Sequence, residues 1–513
     1  MAERSDVLVV GAGPTGLVLA CGLALRGVAV RVVDRAAGPA TTSRANILHA
    51  RGVEVLDRIG ALGDLPERAL APLGMTMHAR NRPLSTMRFR PLDGESTQAL
   101  FVSQADIEER LRRRAAGLGV DVAWGRRVTG LEQDGDGATA VLADGSRAPA
   151  RWVVGCDGAH SAVRDLAGID FPGVTVVEQF LLADARMDWD RDRSVSAGWF
   201  HRDGMVLAIP MPDGPGAERA DGDLWRLMAD VPATDERLDA RRIVARIEAL
   251  LPVRTGDTGA SVRDAVWTSV FRVRRRLAAD YRRGRVLLAG DAAHVHSPIG
   301  GQGMNTGIGD AENLAWKLAL VARDRADAGL LDTYAAERRP LAADVLSTTT
   351  ANTRMLVGEG PVTRLIRDRV FVPLLNLPAV QRRATRTASQ LDVSYRTGPL
   401  GGPRRAAGPR PGDRVPDRGC LRPDGTPTRL YAELGSGWVV LAPHGAPGAE
   451  AAAEAARDRL GERVTLLHPR AAEPGGTVLL VRPDGHAGGV GAAGADGLGR
   501  YLDAVLLGAG GGR

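Results

Sequence analysis

The first apolar run of the chain, Val7-Leu8-Val9-Val10, holds no polar position and stops at Gly11, the pattern of a short strand covered on both faces. Asp6–Val10 is therefore predicted as a strand that runs straight into a glycine loop. Leu17-Val18-Leu19-Ala20-Cys21 continues to about Arg26 as a helix closed by Gly27, and Ala29–Val33 reads as a second strand ending at Asp34. Strand, helix and strand of these lengths make a βαβ unit. Further helices are expected over about Ala50–Ile59 and from Gln104 to about Leu118. Alternation near Asp121–Gln133 and Thr139–Leu142, with turn residues at Gly135-Asp136-Gly137 and Asp144-Gly145, predicts antiparallel strands.

A strand at Arg151–Gly155 leads into Cys156-Asp157-Gly158. From about Val174 to Arg274 the texture changes: Met, Trp and Phe gather, with strand-like segments at Phe180–Met187, Ser194–Phe200 and Met205–Pro210. A buried strand at Arg285–Ala289 returns to the first domain, followed by a long helix through Asp310–Arg323 and helical sequence to about Leu391. Gly398–Asp413 has the Gly, Pro and Arg content of a linker. Beyond it, strand-like pieces (Trp438–Ala442, Val464–His468, Val478–Val481) alternate with helical ones, and Gly508–Arg513 reads as a disordered tail. The expected α/β organisation is thus a first domain in two parts, 1–173 and 275–395, the second carrying the helical region. A largely antiparallel β domain at 174–274 is inserted between them, and 396–513 hold a linker and a small third domain.

Composition narrows the partners. With 513 residues, two to three domains are expected, and 44% apolar with 25% charged residues is ordinary for a globular chain, which argues against disorder. The net charge of +6 raises the question of nucleic acid, but the basic residues are scattered among 61 acidic ones and aromatics are only 4%, too few for stacking platforms. Arg112-Arg113-Arg114 and Arg274-Arg275-Arg276 read as solvated faces. Lys317 is the only lysine. Cys21, Cys156 and Cys420 lie far apart without a CxxC pair or metal spacing, which fits free thiols in a reducing compartment, and Cys21 reads as a small buried hydrophobe on the first helix. No leader-like segment and no apolar run of 18 residues precede or interrupt these elements, so a cytoplasmic protein is expected, bound neither to nucleic acid nor to a membrane.

Gly11-Ala12-Gly13-Pro14-Thr15-Gly16 sits between the first strand and first helix. In that context Gly11 permits a tight turn, Gly13 lets a pyrophosphate approach the backbone, and Gly16 lets helix pack on strand. The helix N-terminus offers N–H groups and partial positive charge to phosphate, and Asp34 is placed to accept ribose hydroxyls. Two distant segments refine this. Asp291, at a strand end in Gly290-Asp291-Ala292-Ala293-His294, suits a ribityl chain. Pro298-Ile299-Gly300-Gly301-Gln302-Gly303-Met304-Asn305 then supplies a row of backbone N–H groups ahead of a helix, able to stabilise negative charge on a reduced flavin.

These three segments, with Gly155-Cys156-Asp157-Gly158-Ala159-His160-Ser161-Ala162-Val163-Arg164 as the second, resemble the signatures of class A flavoprotein monooxygenases. Within them the sequence is similar to the phenol-hydroxylase-like enzymes that hydroxylate aromatic polyketides and other antibiotics. The resemblance implies a Rossmann-like (GR2-type) FAD-binding domain, an inserted antiparallel β-sheet substrate domain and a thioredoxin-like C-terminal domain. It extends cofactor contacts to Pro14, Thr15, Arg35, Arg44, Gln104, Val128, Asp157 and Gly158, and places His49 and Arg51 near the flavin edge. Asp34 stands where the family usually has Glu. One complete dinucleotide fingerprint implies NADPH or NADH as a transient electron donor. The implied reaction is hydroxylation of a phenolic or polycyclic aromatic natural product by O₂ through a C4a-hydroperoxyflavin, which needs no protein nucleophile, and the protein is expected as monomer or homodimer.

Trp199, Met205, Met211, Trp225, Met228 and Phe271 are the candidate substrate-side residues, although residues of these types are more often core than pocket; the adaptable Met side chains suit a polycyclic ligand. A Baeyer–Villiger insertion and an antibiotic-inactivating hydroxylation fit the same motifs, and a drug-sequestering flavoprotein is the non-enzymatic alternative. A flavin-dependent halogenase is set aside, because the WxWxIP segment is absent and Lys317 sits where the hydroxylases also carry lysine. No histidine pair has a metal-site pattern. In the last domain, Ala487-Gly488-Gly489 departs from the Val-Ala-Trp-like strand of the family, and Cys420 alone cannot form a redox pair.

Overall fold

The computed structural model describes residues 5–41, 45–70, 74–79, 82–88, 95, 97–212, 223–234, 236–296, 300–357, 360–402, 409–461, 463–471, 478–491 and 496–507. Arg44 and Pro298, expected at the cofactor, and the 508–513 segment, expected as a disordered tail, lie outside them. Among the described residues, three sheets organise the fold. In the first, Ser5–Val10 lies between Val30–Val33 and Arg147–Gly155, all parallel, with Val7 paired to Val30 on one side and Trp152 on the other. Val286–Leu288 extends the parallel run beyond Arg147–Gly155, and Val122–Ala123 extends it beyond Val30–Val33. A parallel strand flanked on both sides must be apolar throughout, and Val7, Leu8 and Val9 are fully buried. The Pro14–Ala24 helix covers this sheet and is itself covered by Gln302–Ala322, whose Ala315 meets Gly22. That double burial explains a helix with no polar stripe, and Cys21 is buried within it.

The second sheet runs in the order His294–Val295, Ser261–Leu277, Gly173–Asp188, Leu224–Val231, Gly204–Pro210, Val195–His201, Gly74–Ala79, Arg82–Arg88. It is antiparallel except where Val195–His201 pairs with Gly74–Ala79. It is therefore wider than the 174–274 stretch in which the sequence concentrates its strand signals. One face packs on the Ala240–Thr255 helix, where Ile243, Ile247 and Leu251 meet Leu181, Val206 and Leu227. The other faces a cavity.

The third sheet combines parallel and antiparallel pairs in the order Pro427–Arg429, Gly419–Leu421, Val464–Pro469, Trp438–Leu441, Val478–Val481, Ala487–Gly491. Gly488 belongs to the edge strand, and the Tyr501 ring occupies the space a side chain there would need. The turn at 482–486 plugs into the first domain. Arg482 reaches Glu337 at 2.9 Å, Lys317 reaches the same carboxylate at 2.7 Å, and the Trp316 indole N–H donates to Asp484 at 3.1 Å. Arg51 donates to the Asp484 carbonyl at 2.6 Å, and Arg414 pairs with Glu54. Among the described residues no helix is long and apolar enough to cross a membrane.

A flavin cleft joined to a methionine-rich wall

The C-terminal strand ends of the first sheet and the free face of the second enclose one continuous cavity of about 1690 Å³. At its first-sheet end the glycine loop is shaped by contacts a side chain would destroy. Gly11 has φ +109°, and a Cβ there would overlap the Cys156 carbonyl, as one on Gly16 would overlap the Gly11 carbonyl. Beside Gly13, in contrast, the space where a Cβ would point is open to 4 Å. Gly13 sits at the N-cap of the Pro14–Ala24 helix with no side-chain cap, so the first helical N–H groups face the cavity. This cradle fits a pyrophosphate.

Asp34 lies at the end of the second strand. Its Oδ2 accepts from the Ala12 N–H at 2.7 Å and its Oδ1 from the Ala36 N–H at 2.8 Å. Each carboxylate oxygen keeps a further lone pair for a hydroxyl. Arg35, Gln104 and Val128 share this end of the wall. Arg126 and Arg127 line it too, although sequence reasoning missed them; they follow a two-residue strand too short to register as a pattern. Asp157 and Gly158 also line the cavity, but the Asp157 carboxylate is engaged. It accepts from the Ser161 hydroxyl and the Val163 N–H and so closes the turn before the Ala162–Leu166 helix, while burial raises its pKa.

Asp291, exposed to the cavity, follows Gly290, whose N–H donates to Asp310 at 3.1 Å. Asp310 was not singled out from the sequence, where it is one more acid inside an apolar helix. Fully buried, it accepts from His294 at 2.6 Å and from Arg338 at 2.7 Å. Burial alone pushes its pKa up; His294 and Arg338 reverse this and hold the carboxylate below its usual range. The Gly301, Gln302, Gly303 and Met304 stretch lines the cavity from the other side, with Gly301 in the left-handed region at the helix N-cap. Asn305 lies beneath and ties two loops together: its amide donates to Ile47 and Gly301 carbonyls at 3.1 and 2.9 Å and accepts from the His49 N–H at 2.8 Å.

His49 lines the cavity, and its Nε2 lies 2.9 Å from the Gly300 carbonyl, so Nε2 carries the proton. Burial pushes its pKa down and keeps the ring neutral. Arg51 does not share this position. Two residues further on, about 200° around the helix, it reaches the 482–486 turn, donating to the Asp484 carbonyl at 2.6 Å, and pairs with Glu54 at 2.9 Å and Glu312 at 3.2 Å. Its expected place at the flavin edge is corrected to a domain contact.

The second sheet supplies a largely apolar wall, with alternate residues of the Gly204–Pro210 strand turned to the cavity. Met205, Leu207 and Ile209 of one strand face the cavity with Met228, Phe271 and Phe200, joined by Met75 and Met77. Trp199 and Trp225, expected here, point the other way and pack with Trp189 at ring separations of 5.8 and 5.3 Å. Met211 also misses the wall: the strand ends at Pro210, and Met211 exchanges its backbone bonds with Leu224 and Arg193. Met205, Met228 and Phe271 are thus the three of the six expected residues that reach the cavity.

Residues 4–349 match the family model described as FAD binding domain, and residues 408–509 match that of the aromatic-ring hydroxylase C-terminal domain. The chain belongs to the FAD-dependent aromatic-ring hydroxylases. This hydroxylase is 38% identical over 492 residues to the 12-dehydrotetracycline 5-monooxygenase/anhydrotetracycline 6-monooxygenase of Streptomyces rimosus, covering 94% of both chains. It is 34% identical to a rifampicin monooxygenase of Rhodococcus hoagii, covering 96% of both. Among solved structures, the anhydrotetracycline hydroxylase OxyS of Streptomyces rimosus superposes on the hydroxylase with a TM-score of 0.81 at 35% identity over 99% of both chains. The cofactor is FAD, and the enzyme is a flavin-dependent monooxygenase of class A.

Proposed function

We propose that this hydroxylase uses NADH or NADPH and O₂ to hydroxylate a phenolic, polycyclic aromatic natural product of the polyketide antibiotic type. The observation that carries the reading is the single cavity that joins an open pyrophosphate cradle at Gly13 to a wall of Met75, Met77, Met205, Met228 and Phe271. Bound FAD supplies the activation of O₂ and the transfer of one oxygen atom. The chain supplies everything around that step. Gly11, Gly13, Pro14 and Thr15 receive the phosphates, with Gly16 keeping the helix close to the strand beneath them and Asp34 and Arg35 at the ribose. Asp291 accepts from the ribityl chain, and Gly301–Met304 direct N–H groups to the flavin ring. Flexible thioethers and aromatic faces bury a planar ligand without demanding one shape and keep water from it.

In this reading the FAD-binding domain comprises 1–173 and 275–395, and the substrate domain is the 174–274 insertion, with the Gly74–Arg88 hairpin sharing its sheet. The 396–513 segment is a linker and a thioredoxin-like domain. A second reading, oxidative inactivation of an antibiotic, is favoured by the 34% identity to a rifampicin monooxygenase. One experiment separates them. The FAD-loaded enzyme is incubated with NADPH or NADH and two panels, phenolic polyketide intermediates and finished antibiotics, and products are read by mass spectrometry. Substrate-stimulated NAD(P)H oxidation with a product one oxygen heavier is expected in the first panel. Turnover confined to the second panel selects inactivation, and NAD(P)H consumption without an oxygenated product in either overturns both.

A further inference from the structure

Among the described residues, two that are not glycine have positive φ, Asp324 and Gln390. Asp324 is unremarkable chemically, because Asp enters the left-handed region readily with its short polar side chain and here sits in an exposed turn paired with Arg151. Gln390 is of a different kind. It ends the Pro378–Ser389 helix at φ 59° and ψ 18°, the position where a helix usually places glycine. A glutamine kept there against its backbone preference points to a task for its side chain.

That side chain closes a circuit with the flavin loop. Gln390 Nε2 donates to Gln302 Oε1 at 2.5 Å and lies 3.1 Å from Thr306 Oγ1. Gln302 Nε2 in turn donates at 3.2 Å to the Ala388 carbonyl, one of the groups left over at the helix C-terminus. Thr306 donates to the Gln302 carbonyl at 2.9 Å, and Arg338 holds the Thr306 carbonyl at 2.9 Å. Gln302 is the first residue of the helix whose N-terminus, with Gly301 and Gly303, lines the flavin end of the cavity. Val380, Arg383, Ala384 and Thr387 of the Pro378–Ser389 helix line the same cavity. Both ends of the Gln302 amide, oxygen and nitrogen, are thus tied to the neighbouring helix.

We propose that Gln390 is a positioning residue that fixes the N-terminus of the flavin-loop helix against the helix flanking the substrate, and so sets how tightly FAD is held and how completely NAD(P)H oxidation is coupled to product. The proposal rests on the FAD-hydroxylase reading above. Gln390→Gly tests it, because glycine adopts this backbone without strain while losing both side-chain bonds. The expected result is a Tm equal to or above that of the wild type, FAD Kd about 10-fold weaker from the loss of one to two hydrogen bonds, and a larger share of NAD(P)H ending as hydrogen peroxide. Apoprotein titrated with FAD by flavin fluorescence gives the affinity.

A Q390G protein with wild-type FAD affinity and coupling overturns the proposal, and so does a lowered Tm with unchanged FAD affinity. Gln302→Ala supplies the second arm. If Gln390 acts through the Gln302 amide, the double variant binds FAD within about twofold of the weaker single variant; losses that multiply overturn the proposal. Failure of the wild-type apoprotein to bind FAD at all is a separate outcome that removes the underlying hydroxylase reading.

Discussion

Gly13 and Gly16 lie within one turn of chain, yet the space beside their Cα atoms differs completely. A methyl group on Gly13 meets nothing within 4 Å, whereas one on Gly16 enters the Gly11 carbonyl. Gly13→Ala should therefore fold normally, with an apoprotein Tm within about 2 °C of wild type. It should bind FAD at least about 10-fold more weakly, because the methyl occupies the phosphate approach. Gly16→Ala should instead lose roughly 2–4 kcal/mol of stability. Calorimetry and flavin titration of the two variants separate the roles. The motif in the sequence already assigned Gly13 to the phosphate approach and Gly16 to helix packing; what it did not carry is which groups close the space, the Cys156 carbonyl beside Gly11 and the Gly11 carbonyl beside Gly16. The same limit applies to His49 and Arg51, whose divergence needs the helix phase and the position of a domain hundreds of residues away. Gln390, Asp310 and Arg338 carried no signal at all: an ordinary glutamine, an acid and an arginine gain meaning only from their partners.

Elements were more legible than their partners. The Pro14–Ala24 helix, the strand at Ser5–Val10 and the 204–210 strand follow directly from apolar period and glycine stops. That Trp199 and Trp225 turn from the cavity while Met205 and Met228 face it is a question of register, and a shift of one residue reverses every face. Pairing of Gly74–Ala79 with Val195–His201 is a long-range choice that local pattern cannot encode.

The turn at 482–486 makes a prediction at this scale. His486 is buried and pressed by that burial to about 4, against the pull of Asp484, with Arg51 and Arg482 also opposing a charge on it; the Tyr395 ring lies tilted against its ring at 4.3 Å. An imidazole whose folded pKa lies below its unfolded 6.5 leaves the unfolded chain holding more protons between those values. Stability is therefore lost as pH falls from 6.5 toward 4. Glu337 follows at lower pH: burial raises it, but Arg482 and Lys317 bring it to about 2, so its contribution is lost as pH falls from 4.5 toward 2. Urea unfolding should show stability falling by about 2 kcal/mol between pH 7 and pH 5, and His486→Gln should flatten that limb whatever its own starting stability.

At the scale of the whole molecule, a cluster of buried charges lies where the third sheet meets the helices of the first, beside the edge-on contact of Trp316 with Trp438 at 5.2 Å. Arg482, Glu337, Lys317 and Asp484 are all nearly or completely buried, and each acid touches at least one cation. Removing one partner of such a set leaves the others charged and unpaired in a place water does not reach. Arg482→Ala should lower stability by about 3–5 kcal/mol, seen as a fall in Tm with early release of flavin, because Tyr395, stacked under Arg482, also contacts Arg338 at the cavity wall. A Tm unchanged from wild type would show that the third domain docks by other means.

The bond from Arg51 to the Asp484 carbonyl spans 433 positions of sequence. A ribosome adding about 5–20 residues per second needs on the order of 20–90 s to cover that distance. Throughout that interval Arg51 lacks the turn that buries it, and Glu312, 261 positions further on, joins it only in the second half. The Ala50–Arg58 helix is thus among the first parts of the chain to be made and among the last to find its partners, and a nascent chain halted short of His486 presents Arg51 without the carbonyl it is bonded to.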